Sequence, residues 1–394
     1  MKLKTLSAAM ILATAPMTGA FAAAMDRTGQ SISAFLQPGN YAEAGLSVLD
    51  ADVSGKDALG QNTGDMASSY HSASAALKIQ ATDKISVGLL FDQPFGAKAE
   101  YTNSGHIFSA QTPTGPEGTS AEVTTENLTL LAGFQPNANW NFYAGPVWQQ
   151  AKGEVHLRSN PGAYGPYGQL GQDAYNANMK NDDAWGWAAG VAYQIPEIAL
   201  KASLTYRSEI KHELKTNENT LAYISTGGID GVTEVTTPQS VNLDFQTGIA
   251  TNTVAFANVR WVNWDGFSIT PPLFGQAIQT VNSRIADTLV EYNKDQWTIN
   301  AGVGRKLTEK WSGTVSVGWD SGAGNPVSTL GPTEGYWSLG LGAQFSPATN
   351  YFIQGGVKYF WLGDAQALTA GSNNVGQFKD NHAIGYGMKI GYKF

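Results

Sequence analysis

The chain has 394 residues, a formal net charge of -8, 42% hydrophobic and 14% charged residues, 45 glycines, 11 tryptophans and no cysteine. So few charges beside 11% aromatics is odd for a water-soluble enzyme, in which charged residues make up about 25%. The lack of cysteine excludes disulfide frameworks and thiolate chemistry, and the acidic balance weighs against nucleic acid as a partner.

Lys2 and Lys4 lead an apolar run, Leu6 to Ala15, followed by small residues through Ala24. This pattern predicts a secretory signal peptide over residues 1–24. Beyond it no stretch approaches the roughly 20 consecutive apolar residues of a spanning helix. Period-2 segments follow instead: Ala44 to Val53, Ser69 to Ala81, Ile85 to Gln93, Glu122 to Phe134, Trp140 to Gln150, Ala184 to Tyr193 and Ile198 to Ile210. The series continues with Val241 to Ile249, Thr253 to Trp264, Asp287 to Gly304, Trp311 to Trp319, Trp337 to Phe345, Tyr351 to Phe360 and Ile384 to Phe394. In the last segment Ile384, Tyr386, Met388, Ile390, Tyr392 and Phe394 alternate with Gly and Lys. A strand gathers such residues on one face, whereas a helix would scatter them around its circumference.

The tally is about fourteen strands, an even number that suits closure. Connections alternate between tight turns, such as Thr82 to Lys84 or Ser346 to Asn350, and long Gly-, Pro- and Asn-rich loops, such as Gly96 to Ala121 or Lys211 to Ser240. Outer-membrane barrels have this asymmetry, with short periplasmic turns and long external loops. In lipid every backbone group must be paired within the protein, so a sheet spans only if it closes. Trp140, Trp148, Trp185, Trp297, Trp311, Trp319 and Tyr351 near strand ends fit aromatic girdles. The expected fold class is all-β: a transmembrane antiparallel β-barrel in the bacterial outer membrane.

Three stretches resemble the outer-membrane long-chain fatty acid and hydrocarbon transporter family, the FadL family. They are VGLLFDQPFGAKAEY from Val87, LKASLTYRSEIKH from Leu200, and TPQSVNLDFQTGIATNTVAFANVRWVNWDGF from Thr237; the terminal Phe394 adds to the match. The resemblance implies a monomeric fourteen-stranded barrel closed by an N-terminal hatch and passing hydrophobic molecules through a gap in its wall. Little chain precedes the first strand here, so the expected division is a short plug over residues 25–42 and a barrel over 43–394.

Pro94 lacks the N–H that a sheet ladder needs and Gly96 tolerates unusual backbone angles. Together with Phe95 they make the expected lateral gate; the plainer reading is that the strand simply ends there. Alternation assigns Arg207, Arg260, Lys294 and Lys358 to the lumen, and Arg158 stands at the top of the fifth strand. Such cations could offset the lost hydration of a carboxylate ligand, or pair with acids such as Glu209 and Asp244. Tyr164, Pro166, Tyr167, Leu170 and Tyr175, with Leu221, Tyr223, Ile224 and Pro271 to Phe274, offer an apolar capture surface in external loops. The five histidines lack metal-ligand spacing, and no serine sits in a catalytic setting, so neither a metal, a cofactor nor an enzymatic reaction is expected. The expected function is passive transport of hydrophobic molecules, foremost long-chain fatty acids, with a general diffusion porin as the alternative. The expected partners are the hydrophobic substrate and outer-membrane lipid.

Overall fold

Alternating apolar and small polar residues on one ribbon leave two unlike faces, and closing the ribbon sends one face to lipid and the other to the lumen. The computed structural model describes residues 24–112, 115–159, 175–219, 227–281, 288–369 and 372–394. The signal peptide expected at the N-terminus lies outside these residues, apart from Ala24. The barrel strands are β1 (Tyr41–Asp52), β2 (Tyr70–Gln80), β3 (Ile85–Asp92, resuming at Gly96–Glu100), β4 (Ser120–Phe134), β5 (Trp140–Leu157), β6 (Tyr175–Ile195) and β7 (Leu200–Arg207, resuming at Ile210–Asn219). They continue as β8 (Ile229–Thr237, resuming at Ser240–Ala250), β9 (Thr253–Val262), β10 (Gln296–Lys306), β11 (Trp311–Asp320), β12 (Tyr336–Ala348), β13 (Tyr351–Leu362) and β14 (His382–Lys393). Each pairs antiparallel with its neighbour, and β1 pairs with β14 from Tyr41↔Lys393 to Asp52↔His382, which closes a fourteen-stranded barrel.

The outer face carries exposed Leu46, Val48, Leu89, Leu130, Val315, Leu341 and Met388. Register stacks tryptophans into a girdle toward the long-loop end: Trp261 opposes Trp297, and Trp337 lies between Trp319 and Trp361. Trp311 opposite Phe345 and Tyr351 opposite Tyr392 mark the short-turn end. Buried Lys78, Thr129, Gln149, Thr205, Asn242 and Lys358 occupy the inner face.

Strands extend beyond the alternation on one side. β5 runs on to Leu157, β6 begins at Tyr175, and Ile210–Asn219 pairs with Ile229–Thr237 where loops were expected. Outward residues there are Lys152, Glu154, Lys211, Glu213 and Glu234, all exposed. Above the membrane the polarity reverses: the outward residues are charged while inward Val155, Ala177, Met179, Leu214 and Val235 are buried and apolar, so the ladder persists without the lipid-facing apolar stripe that reveals it elsewhere. Conversely, the strand expected from Asp287 begins only at Gln296, and Val290–Glu291 instead pairs with Ser268–Ile269 in the loop. That loop also holds α1 (Pro272–Val281), whose Leu273 and Phe274 N–H groups donate to the Glu218 carboxylate at 2.7 and 2.8 Å.

Residues 24–40 fold inside the barrel. A turn closes where the Phe35 N–H donates to the Ile32 carbonyl at 3.0 Å. The Phe35 ring is fully buried beside Tyr143, with centroids 5.6 Å apart, and fills space left by two glycines. A Cβ at Gly88 or Gly133 would come within 2.4 or 2.8 Å of that ring. The Nζ atoms of Lys78 and Lys201 donate to the carbonyls of Gln37 and Leu36 at 2.8 and 2.9 Å, tying this leg to the wall.

Candidate functional site

The ladder between β2 and β3 runs from Gln80↔Ser86 to Ala75↔Phe91 and stops. Pro94 cannot donate to a ladder, and when β3 resumes at Gly96 it pairs with β4, Gly96 opposite Thr124, while its other edge meets the loop at Met66 and Ala67 rather than β2. The freed backbone groups find other partners. The Ala73 N–H donates to Gln93 Oε1 at 3.0 Å, and the Phe95 N–H to Thr125 Oγ1 at 2.9 Å. From inside the barrel, Asp26 bridges Phe95, the Arg27 N–H donates to the Pro94 carbonyl at 2.6 Å, and the Gly96 N–H donates to the Met25 carbonyl at 2.8 Å. Met25 to Arg27 thus form a crossbar behind the break. The Arg27 guanidinium lies 3.9 Å over the Tyr70 ring of β2, and a Cβ on Gly96 of β3 would come within 2.6 Å of its Cζ.

The crossbar separates two cavities. Toward the long loops, Met25, Ala97, Val123, Val155, Met179 and Leu289 line an apolar cavity of about 40 Å³. Tyr70, Lys98 and Tyr292 are among its polar members, and burial raises the Tyr292 phenol above its ordinary value, which keeps it a neutral donor. On the other side a lateral cavity of about 100 Å³ runs from Arg27, Ser72, Asp92 and Arg207 in the interior to Leu46 on the outer face. A third, amide-rich cavity of about 290 Å³ lies at the short-turn end, between Gln37, Gln80, Gln135, Gln194, Asn141 and Lys201.

The five cations singled out from sequence do not converge. Arg260, 2% exposed, is held by the plug: its Nε lies 2.6 Å from Asp26 Oδ2, its Nη2 donates to Gln30 at 3.1 Å, and its Nη1 to Asn242 at 2.7 Å. Its acidic partner is Asp26 rather than the luminal Asp244. Lys358 donates to Asn300 at 2.8 Å and lies 5.2 Å from the Phe360 ring centre. Arg158 pairs with Glu117 at 2.8 Å just beyond β5. Lys294 is exposed in the loop ahead of β10, because the strand starts at Gln296 rather than at Asp287 as the alternation suggested. Arg207 lines the lateral cavity. Asp26, Arg27 and Gln30 escaped the sequence reading, since an aperiodic segment gives no face to assign.

Of the proposed capture surface, Tyr164, Pro166, Tyr167, Leu170, Leu221, Tyr223 and Ile224 lie outside the described residues. Tyr175 begins β6 and packs on Phe274 of α1, with ring centroids 5.1 Å apart. Among the described residues no group of three or more His, Asp or Glu side chains could hold a metal ion.

The family model described as outer membrane protein transport protein (OMPP1/FadL/TodX) matches residues 19–394. No curated protein matches at a significant level. Among solved structures, a Pseudomonas aeruginosa FadL homologue superposes with a TM-score of 0.71 at 16% identity, over 97% of this chain and 98% of the other. The P. putida toluene transporter TodX gives 0.64 at 12% identity, over 92% and 91%. The CymD monoaromatic hydrocarbon channel gives 0.58 at 11% identity, over 98% of each chain. At these identities the structural likeness speaks for the fold alone.

Proposed function

We propose a route and a cargo from the premise that this chain belongs to the OMPP1/FadL/TodX family of outer membrane transport proteins, a family of transporters for hydrophobic molecules. In this reading a hydrophobic molecule enters the apolar outer cavity, displaces the crossbar of Met25 to Arg27, and leaves sideways between β2 and β3. One observation carries it: the wall is broken at Gln93 to Phe95, and the segment behind the break lines an apolar outer cavity with Met25 and a cavity reaching the lipid face with Arg27. Residues 25–40 are the plug in this scheme, since Tyr41 and Ala42, expected in the plug, already pair in β1; residues 41–394 are the barrel and residues 1–24 a cleaved signal peptide. The working unit is a monomer, and flow is passive.

The proposed cargo is a long-chain fatty acid, whose chain matches the apolar lining of the outer cavity, a cavity that must widen to take it, and whose carboxylate finds Arg207 beyond the crossbar. Uncharged aromatics, which the names of TodX and CymD indicate for those proteins, are the second reading. It is favoured by the outer cavity, where Lys98 is the one charged residue among the described lining.

Gly96→Leu tests the route. A Cβ there would meet the Val123 carbonyl at 2.5 Å and Arg27 Cζ at 2.6 Å, so the side chain fills the passage. Uptake of labelled oleate into cells should fall several-fold while the heat-modifiable migration of the folded barrel persists; normal uptake sinks the lateral route. In planar bilayers the plugged barrel should show saturable oleate binding without steady open-channel current, whereas a steady current would favour the porin.

A further inference from the structure

Two guanidinium groups on the lateral cavity are incompletely bonded. Arg27 and Arg207 are each 6% exposed, and both line it. Nε and Nη2 of Arg27 and Nη1 of Arg207 have no hydrogen-bond partner. An ionised donor buried without an acceptor is costly. Arg260 shows what satisfaction looks like in the same lumen, with all three of its nitrogens bonded. The other charges on this cavity are accounted for. Lys389 lies 3.3 Å from Glu43, and Asp92 Oδ2 accepts from Thr28 Oγ1 at 2.9 Å. Asp92, Asp244 and Arg260 bear on Arg207, and Glu122 on Arg27, without bonding to the orphaned nitrogens.

We propose that Arg27 and Arg207 form an oxyanion site in the lateral cavity that takes the carboxylate or phosphate head of a single-chain amphiphile, with its chain lying in the gap between β2 and β3. The inference rests on the lateral route proposed above. Carboxylates and phosphates match the planar donor edge of arginine. The lining passes from these arginines to Ala75, Leu90, Phe91 and Leu46, which suits an attached alkyl chain better than a bare ion. Recognition is coupled to opening, because the guanidinium that meets the head group is the one stacked on Tyr70 across the gap.

The test is calorimetric titration of the purified full-length mature barrel, in an uncharged detergent, with laurate, dodecyl phosphate, methyl laurate and inorganic phosphate. Laurate or dodecyl phosphate should bind at least about tenfold tighter than methyl laurate. Arg27→Gln and Arg207→Gln should each weaken the charged ligand about 10- to 100-fold and leave methyl laurate unchanged; Arg207→Lys should restore part of the loss. A preference for laurate identifies the site with transported acids, and a preference for dodecyl phosphate identifies it with membrane-lipid head groups. Unchanged binding in both Gln variants overturns the site, as does equal weakening of charged and neutral ligands. Inorganic phosphate binding as tightly as the alkyl ligands overturns the amphiphile. The lateral route fails separately, if methyl laurate neither binds nor is taken up by cells.

Discussion

The barrel wall is built in two ways. From β11 to β14 it is a regular fabric: Trp311↔Phe345 to Asp320↔Tyr336, then Tyr336↔Leu362 onward, then Tyr351↔Tyr392 to Trp361↔His382. The one proline in those strands, Pro347, sits at the register shift between Phe345 and Ala348, near the short-turn end. Between β2 and β3 the fabric stops at Ala75↔Phe91, and Pro94 stands toward the long-loop end. Yet backbone groups at the broken edge are satisfied as well. Their partners are Gln93 and Thr125 side chains, the carbonyl of Met25 and the amide of Arg27. Lipid forbids an unpaired edge, so a wall that is to part there must borrow partners that can leave. The regular side holds its own backbone, and the broken side is held by a detachable segment.

The largest effect should come from making that segment permanent. Asp26 and Phe95 face each other as a pair flanked by, and not themselves joined by, backbone hydrogen bonds. This is the closer of the two antiparallel spacings and suits a disulfide. The chain has no cysteine of its own, so Asp26→Cys with Phe95→Cys gives a single bridge. Oxidised, the variant should lose essentially all oleate uptake; reduced, it should regain it. The same operation on the regular wall, Leu341→Cys with Val357→Cys, joins facing residues of β12 and β13 and should leave uptake unchanged in either redox state. Uptake unaffected by the first bridge, or lost equally with the second, would erase the functional difference between the two walls.

Next in size is the ionic hold on the crossbar. Asp26→Asn leaves the buried Arg260 guanidinium without its carboxylate, a loss of about 3–5 kcal/mol when one partner of a buried pair is removed. The cost should appear as release of residues 24–30: rapid hydrogen exchange there, and ion conductance absent from the parent. Protection should persist around Phe35, which is seated between Gly88 and Gly133 and held independently by Lys78 and Lys201. Uniform loosening along the plug would show that its two legs are not separate units.

These contrasts also explain what the sequence made legible. Where one face meets lipid, as in Trp311 to Trp319 or Ile384 to Phe394, alternation fixes strand and orientation together, because apolar exposure is tolerated only there. Pro94 and Gly96 were legible for the opposite reason, since they interrupt an otherwise clear pattern. The strand ends at Leu157 and Tyr175 were hidden because there the apolar residues face inward and no lipid-facing stripe marks the strand. The crossbar was hidden more deeply. Nothing in the run Met25, Asp26, Arg27 reports that its carboxylate reaches Arg260, which lies 234 positions along the chain, or that its guanidinium covers Tyr70. Luminal parity placed Arg207 and Arg260 correctly on the inner face, but parity says nothing about which of them the plug neutralises.

The smallest expected effect probes the comparison most directly. Gln93 lends its side-chain oxygen to the Ala73 N–H of β2, a donor that strand pairing would otherwise have satisfied. Gln93→Ala removes that acceptor at the edge of the break, where an unmet amide costs about 1–3 kcal/mol. On the regular wall Gln354 of β13 is also an inward-facing glutamine, but its backbone is paired on both sides, opposite Gln344 and Lys389. Gln354→Ala should therefore leave neighbouring amides as protected as before, while Gln93→Ala should speed exchange at Ala73 roughly tenfold or more. If Ala73 stays protected without Gln93, a barrel strand rather than a borrowed side chain is holding that edge, and the break between β2 and β3 is then no weaker than the rest of the wall.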